Sequence, residues 1–414
     1  MIKNNYLNTI ISKIVLILIQ LLTTMLLSRY LGPELKGKMA YILNISGIIT
    51  IILDAGLEQT YGYFKRKNVE NNFKKYLKVI LIINIIYLFI GVLLNIILNN
   101  VNFIFITIIS LFNIISIQLS YVMMIENINL RNKINIIVNI VYFFIILNIY
   151  FFTKSNLYFV LIIQIFRFFI EIILYNFKFK ITIKDILKEK IEREYIVDMI
   201  KVGIPAMIMS LLITFNYSLD QIILKNYVNY YQLGLYSAGA AIASLAWFFT
   251  DSFKDVITSK TTEKDSVSEI IFSIKFNIYI SIFIIIFFIL FGKFAIYIVH
   301  GSKFLNSYYV TIIILFGNIP MIFYKIINSL YINKGKQKIS VIILSVSVIE
   351  NIILNNILIP LWGINGAAFS TVFSYTSCGL IFLIIFCNEY NIKLKKIIVF
   401  EKKEIKALIH KVRR

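Results

Sequence analysis

The sequence predicts an all-α integral membrane protein with twelve transmembrane helices. Of its 414 residues, 59% are hydrophobic and 15% are charged, and the mean hydropathy is +0.83. A soluble domain has about 45–50% apolar and about 25% charged residues. The apolar residues also lie in long uncharged runs that match a bilayer-spanning helix, without the alternation of a barrel strand. These observations exclude a soluble globular protein and a transmembrane β-barrel.

A window of about 19 residues finds twelve predominantly apolar segments. They cover residues 8–31, 39–63, 77–99, 102–125, 134–153, 156–177, 200–225, 232–257, 270–299, 305–333, 339–360 and 364–388. The first segment is predicted to be a retained span, because it is too long for a signal peptide and lacks a small-residue cleavage site. The connections are mostly short, so the helices themselves must form the core.

The basic residues predict the orientation of the chain. An even number of spans places both termini on one side, and 34 of the 42 Lys and Arg residues lie on that side, against seven on the other. By the positive-inside rule, both termini are cytoplasmic. The formal net charge of +21 therefore follows from topology, and its clusters are predicted to face anionic lipids of the inner leaflet. No nucleic-acid recognition motif accompanies the charge, so nucleic acid is not a predicted partner.

The longest polar connection, Lys178 to Lys201, divides the spans into six and six. We predict an N-terminal lobe at 1–180, a cytoplasmic linker at 181–200, a C-terminal lobe at 201–388 and a basic cytoplasmic tail at 389–414. A shift of 197 residues places Asp54 on Asp251 and Gly37 on Gly234. An even number of helices in each repeat preserves orientation, so the two lobes are predicted to be parallel and pseudo-symmetric, with a pathway between them.

Four basic residues in or beside the spans are candidates for contact with an anionic group: Arg29, Arg167, Lys225 and Lys325. A charge near the bilayer centre costs about 2.5–3.5 kcal/mol on insertion scales, so it is expected to line a cavity or to have a partner. Arg29 and Lys225 lie near the outer ends of helices 1 and 7, where snorkelling is the alternative. Lys325 faces either the cavity or the inner interface.

Four acids are candidates for coupling or gating: Asp54, Glu171, Asp220 and Glu350. Glu171 lies four residues after Arg167, so the two can pair on one helix face, and a phosphate could compete for the arginine. Glu350 is the deepest acid, about eleven residues from either end of its helix. For Glu350, the alternative is a structural acid that hydrogen bonds to neighbours such as Asn351. Pro320 is predicted to kink its helix and to act as a hinge.

The stretch SRYLGPELKGKMAYILNISGIITIILDAGLEQ contains Arg29, Gly32, Gly37, Asp54 and Gly56. It resembles the first helix-loop-helix of the bacterial polysaccharide biosynthesis transporters, the O-antigen repeat-unit flippases of the multidrug/oligosaccharidyl-lipid/polysaccharide exporter superfamily.

The resemblance continues to the end of the chain. Gly203, Pro205 and Asp220 lie in GIPAMIMSLLITFNYSLDQIILKNY, and the sequence ILIPLWGINGAAFST carries Gly363 and Gly366. Both stretches are similar to the corresponding parts of that family.

The resemblance implies two six-helix lobes that form a V around a cavity opening alternately to either side. It also implies an inner-membrane flippase for undecaprenyl-diphosphate-linked oligosaccharide repeat units, used in the assembly of O-antigen, capsule or a similar surface polysaccharide. The basic candidates would then contact the head group at the cavity or its mouth. Coupling to H⁺ or Na⁺ and a polysaccharide polymerase as partner belong to the same expectation.

Other functions remain open at this stage: a multidrug or other cation-coupled antiporter, a peptidoglycan-precursor flippase, or, with less support, a membrane glycosyltransferase or ligase. The peptidoglycan-precursor flippases usually have fourteen helices, and the enzymes generally need a substantial outer loop, which this chain lacks. Its two histidines, His300 and His410, have no metal-ligand spacing, and no nucleotide-binding loop occurs. No catalytic residue, metal or cofactor is predicted.

Overall fold

The computed structural model describes residues 2–179, 183–260 and 267–398, and within these ranges the secondary structure is helical, without strands. The helices are α1 Ile2–Asp54, α2 Leu57–Arg66, α3 Asn72–Leu98, α4 Val101–Glu126, α5 Ile128–Phe152, α6 Leu157–Phe179, α7 Ile183–Lys188, α8 Arg193–Leu224, α9 Tyr230–Leu245, α10 Trp247–Lys260, α11 Val267–His300, α12 Ser307–Asn333, α13 Gln337–Tyr390 and α14 Leu394–Ile398. The all-α prediction is confirmed. The part of the predicted tail from residue 399 onward lies outside the described residues.

Nine helices in the described part of the chain are long and apolar enough to cross a membrane. The count is ten if α9 and the first half of α10, which are bent by 43° at their junction, form one span. The helices α1 and α13 have 53 and 54 residues, so a straight helix of either length would measure about 80 Å against a hydrocarbon core of about 30 Å. The prediction of twelve crossings therefore requires each of them to be two spans.

Two glycines interrupt these long helices. Gly32 has φ 68° and ψ 176°, and Gly363 has φ 56° and ψ −133°, both in regions that residues with a Cβ rarely adopt. The sequence predicted a connection at 32–38, whereas in the structure the break is confined to Gly32 and the next helical segment starts at Pro33. Proline suits a first helical position because its missing N–H would have no partner there.

The chain divides into two compact units, Met1–Thr214 with Val299–Gly301, and Phe215–Ile298 with Ser302–Arg414. The segment predicted as a linker at 181–200 includes α7 and the start of α8. In the first unit, Lys78 donates to the carbonyls of Leu187 and Glu189, and Tyr195 stacks on Phe64 at a centroid distance of 4.2 Å. The domain boundaries stay a prediction.

One apolar core of the first unit lies where α2, α3, α4, α5, α6 and the start of α8 meet. The fully buried Tyr76 and Tyr175 lie in this core with Leu57 and Met199. Elsewhere in the same unit, buried polar side chains form hydrogen bonds across helices, as when Nδ2 of Asn84 in α3 donates to Oε1 of Gln118 in α4 at 2.9 Å. Such bonds suit a bilayer, where water cannot replace them.

In the second unit, α12 is the most enclosed span, with 72% of its apolar window buried. It packs on both halves of α13 and on α9 and α10. Two glycines allow close helix contacts: a Cβ at Gly317 would lie 3.0 Å from the Cα of Val372, and one at Gly379 would lie 1.9 Å from the carbonyl oxygen of Pro320. Small residues at such contacts are the usual means of bringing membrane helices together.

Candidate functional site

Lys325 lies in the second unit, and its ammonium is held by an acid and by aromatic rings. The Nζ atom is 2.9 Å from Oδ1 of Asp251, 4.1 Å from the centroid of Trp247 and 5.5 Å from that of Tyr217. The side chain is 9% exposed. Lys325 therefore has a specific ion pair and cation–π contacts within the unit. That it faces either the cavity or the inner interface stays a prediction.

The side chain of Asp251 is half-exposed and forms the ion pair with Lys325. Among the residues that the structure describes, the repeat-related acid, Asp54, forms no ion pair, and it accepts a hydrogen bond from Nε2 of Gln118 at 2.8 Å. The two positions that the sequence repeat aligns therefore have different electrostatic environments.

Asp54 is the last residue of α1 and is buried. Besides the bond from Gln118, it accepts the backbone N–H of Glu58 at 3.3 Å, while Oε1 of Gln118 accepts Nδ2 of Asn84 at 2.9 Å. Asn84 therefore donates to Gln118, and Gln118 donates to Asp54, so a chain of two neutral amides ends on the carboxylate. Asp54 and Glu58 also line a small cleft of about 40 Å³ together with Thr50, Ile51, Gly56, Ile117, Met207 and Ser210.

Glu171 is buried in α6 and accepts hydrogen bonds from two hydroxyls. Oγ of Ser116 lies 2.7 Å from Oε2, and the Tyr175 hydroxyl lies 3.3 Å from Oε1. The predicted pair with Arg167 is not formed: within the described ranges, no ion pair joins the two residues. Helical spacing permits such a pair but does not require it, because the buried hydroxyls on neighbouring residues satisfy the carboxylate.

Arg167 is half-buried near the middle of α6, about 15 Å along the helix from Leu157. Its guanidinium carbon is 5.7 Å from the ring centroid of Tyr142 in α5 and 5.6 Å from that of Phe168. The buried Nε has no hydrogen-bond partner. Across the parts of the chain that the structure describes, no carboxylate forms an ion pair with this arginine.

Asp220 is buried near the end of α8. It accepts the hydroxyl of Thr371 at 3.0 Å, the hydroxyl of Tyr236 and the backbone N–H of Gln221 at 2.8 Å. Glu350 is half-buried in α13 and accepts the hydroxyl of Ser377. The neighbour that the sequence suggested as its partner, Asn351, instead donates to Ser374 and accepts from Asn355. Neither acid has a cationic partner in these hydrogen bonds.

The residues predicted at the outer mouth have different exposure. Arg29 is exposed near the break at Gly32, whereas Lys225, just beyond α8, is half-buried with its ammonium 4.6 Å from the ring centroid of Tyr230. Pro320 lies inside α12, which runs without a break from Ser307 to Asn333. Its role as a hinge stays a prediction.

Sequence reasoning missed the neutral partners of the predicted residues: Gln118, Ser116, Trp247 and Tyr217. A glutamine inside an apolar run was an available signal, because polar groups in a span need partners. The aromatic residues gave no such signal in a chain with 35 Phe and 26 Tyr. Among the residues described, no group of three His, Cys, Asp or Glu side chains could hold a metal ion.

Comparison with known families identifies the chain. The model of the family described as polysaccharide biosynthesis protein matches residues 2–253. The chain belongs to this family. The family resemblance read from the sequence is thereby confirmed, while no curated protein sequence is significantly similar to the chain.

Solved structures with the same fold are membrane transporters. The lipid II flippase MurJ in an inward closed conformation has a TM-score of 0.74 at 15% identity, covering 95% of this chain and 88% of that one. An inward-facing multidrug resistance MATE family transporter of the MOP superfamily has a TM-score of 0.71 at 13% identity, covering 90% and 94%. A MOP superfamily transporter from Pyrococcus furiosus has a TM-score of 0.61 at 13% identity, covering 94% and 95%.

These similarities show that the chain has a fold shared with membrane transporters, and its many apolar helices indicate a multi-pass membrane protein. The solved structures that share the fold are themselves transporters and a flippase rather than enzymes.

Proposed function

We propose that this protein moves undecaprenyl-diphosphate-linked oligosaccharide repeat units across the bacterial inner membrane by alternating access, for the assembly of O-antigen, capsule or a similar surface polysaccharide. The family concerns polysaccharide biosynthesis, and the fold is shared with a flippase of a lipid substrate. Both termini lie in the cytoplasm, the substrate is accepted from the cytoplasmic leaflet, and its lipid tail stays in the bilayer while the sugar crosses.

The observation that carries this proposal is the state of Arg167. A guanidinium in the middle of a span is costly unless a partner or a ligand compensates it. Here a tyrosine ring and a phenylalanine ring lie beside it, its buried Nε is unsatisfied, and Glu171 is bound to other groups. A diphosphate offers the planar, bidentate acceptor that the guanidinium fork prefers.

The remaining basic candidates have secondary roles in this proposal. Arg29 and Lys225 attract the anionic head group, each near the outer end of its own helix. Lys325 could reach a head group only after leaving Asp251, because the two form an ion pair 2.9 Å long. The basic cytoplasmic clusters hold anionic lipids of the inner leaflet.

Energy for transport comes from a gradient or from the membrane potential. A diphosphate head group carries about two negative charges, each worth about 2.3 kcal/mol per 100 mV, and an inside-negative potential favours outward movement. Asp54, Glu171, Asp220 and Glu350 are the candidates for coupling or gating with H⁺ or Na⁺, because each accepts hydrogen bonds from neutral donors. A polysaccharide polymerase would consume the exported repeat units.

The test is flipping of a fluorescent undecaprenyl-diphosphate oligosaccharide in vesicles that contain the purified protein. A membrane-impermeant quencher reports how much of the head group has crossed. Arg167→Ala should abolish flipping, and Arg167→Lys should restore little of it, since a point charge lacks the planar fork. The matched control is Arg66→Ala, because Arg66 is exposed at the end of α2.

Full flipping by Arg167→Ala would refute the role of this arginine, and absence of flipping by the unaltered protein would refute the substrate. The same vesicles also test the alternatives. Gradient-driven movement of a cationic dye without flipping would favour a multidrug or other cation antiporter, and flipping of lipid II alone would favour a peptidoglycan-precursor flippase.

A further inference from the structure

An aromatic cage of three rings lies beside the ammonium of Lys325 in the second unit. Tyr217 in α8, Trp247 at the start of α10 and Tyr375 in the second half of α13 form a triangle. Their ring centroids are 6.5 Å apart for Tyr217 and Trp247, 6.0 Å for Tyr217 and Tyr375, and 6.3 Å for Trp247 and Tyr375. The rings are tilted or perpendicular to one another rather than stacked. The ammonium lies beside Tyr217 and Trp247, and Tyr375 packs against both of these rings.

Three aromatic rings and one carboxylate are the groups that an organic-cation site uses. Aromatic faces attract a cation through the ring quadrupole, and they do so best when water is excluded. Trp247 and Tyr375 are buried, and Asp251 adds a carboxylate 2.9 Å from the cation. The position that a ligand would occupy is taken by Nζ of Lys325, 4.1 Å from the centre of the Trp247 ring.

The protein gains little stability from such an arrangement compared with an apolar core. The ammonium of Lys325 is desolvated, since 9% of its side chain is exposed, whereas the side chain of Asp251 stays 49% exposed. A buried charge is costly unless a partner compensates it, so removing Asp251 alone would leave the lysine buried without its carboxylate. The lysine and the acid therefore act as a unit, in which the acid and rings make the site and the lysine fills it.

We propose that Lys325 is a built-in cation that occupies an organic-cation site formed by Asp251, Trp247, Tyr217 and Tyr375, and that it thereby excludes cationic ligands from this part of the protein. Lys325 is then a specificity-determining residue between cationic and anionic substrates. The inference goes beyond the proposed function and does not depend on it, because cation binding is measured without transport.

The probe is n-propylammonium. Lys325→Ala removes three methylene groups and the ammonium beyond Cβ, and this amine supplies the same atoms. The chain has two tryptophans, Trp247 in the cage and Trp362, which is 55% exposed on α13. Trp362→Phe is therefore the parent for all measurements, because Trp247 is then the sole fluorescent tryptophan.

In the Trp362→Phe parent, Lys325→Ala should give a saturable change of Trp247 fluorescence with n-propylammonium. The parent with Lys325 in place should bind at least about tenfold more weakly, and 1-propanol, the neutral analogue, should have no saturable effect. Adding Asp251→Asn should weaken amine binding at least about tenfold. Lys325→Met is the matched control, because it fills the volume without a charge and should not bind the amine.

Three results would overturn the proposal: no saturable response in Lys325→Ala, equal binding by the parent, or an equal response to 1-propanol. Lys325→Ala leaves Asp251 unpaired, so its thermal unfolding is measured as well. A ligand that binds only the folded state raises the midpoint temperature, and the amine should do so for Lys325→Ala but not for the parent. The bound amine should restore the charge pair with Asp251. If folded Lys325→Ala protein cannot be purified even with the amine present throughout, this result also counts against the proposal.

Discussion

Gly379→Ala should force α12 and the second half of α13 apart at Pro320. A Cβ at this position would lie 1.9 Å from the Pro320 carbonyl oxygen and 2.5 Å from its carbonyl carbon. Carbon and oxygen atoms in contact are normally about 3.3 Å apart or more, so the helices must separate locally by more than about 1 Å. Since the colliding atoms belong to the backbone, rotation of a side chain cannot relieve the contact.

The magnitude follows from two opposing effects. Overpacking of a core typically costs about 1–3 kcal/mol, and a collision with backbone belongs at the upper end. Alanine in a helix interior is more favourable than glycine by about 1 kcal/mol. The net expectation is a destabilisation of about 2 kcal/mol. The matched control is Gly47→Ala in α1, because a Cβ there would have no atom within 4 Å and should be neutral or slightly stabilising.

The assay uses the buried thiol next to the substituted glycine. Cys378 is fully buried, so a thiol-reactive fluorophore reports its exposure on heating, in a Cys387→Ser background that removes the second, partly exposed cysteine. Gly379→Ala should lower the midpoint temperature of this reaction, and Gly47→Ala should not. Equal midpoints for the two variants would refute the close packing of α12 on α13 and the reasoning built on it.

Three further predictions concern other parts of the chain. Gly56→Ala should destabilise the protein by about 3 kcal/mol and lower the midpoint of thermal unfolding, because Gly56 has φ 70° and a Cβ there would lie 2.1 Å from the carbonyl oxygen of Gly203. An unchanged midpoint would contradict this prediction. Glu350→Gln should make flipping in vesicles insensitive to an imposed pH or Na⁺ gradient, because glutamine still accepts a hydrogen bond but cannot titrate. Retained gradient dependence would make Glu350 a structural acid. Cysteine in place of the exposed Asn100 should react with an impermeant maleimide in intact cells, whereas cysteine in place of the exposed Glu70 should not, and equal labelling would argue against cytoplasmic termini.

The sequence alone determined the class of protein, its family and the approximate position of most spans. The apolar segments at 77–99 and 102–125 correspond to α3 Asn72–Leu98 and α4 Val101–Glu126. These features are local, because a bilayer requires a continuous apolar run of a given length. The break at Gly32 was also close to a predicted connection, since glycine tolerates a conformation that ends a helix.

Only the tertiary structure decided which polar groups meet. Lys325 and Asp251 are 74 positions apart, and Asp54 and Gln118 are 64 apart, so no local pattern connects them. The pair that local spacing favoured, Arg167 with Glu171, is not formed in the described part of the chain, because Ser116 and Tyr175 satisfy the glutamate. In a bilayer, the apolar surface of a helix is compatible with both lipid and neighbouring helices. The rotation and neighbours of each helix, and with them the partner of each buried charge, therefore depend on packing and hydrogen bonds made across the whole fold.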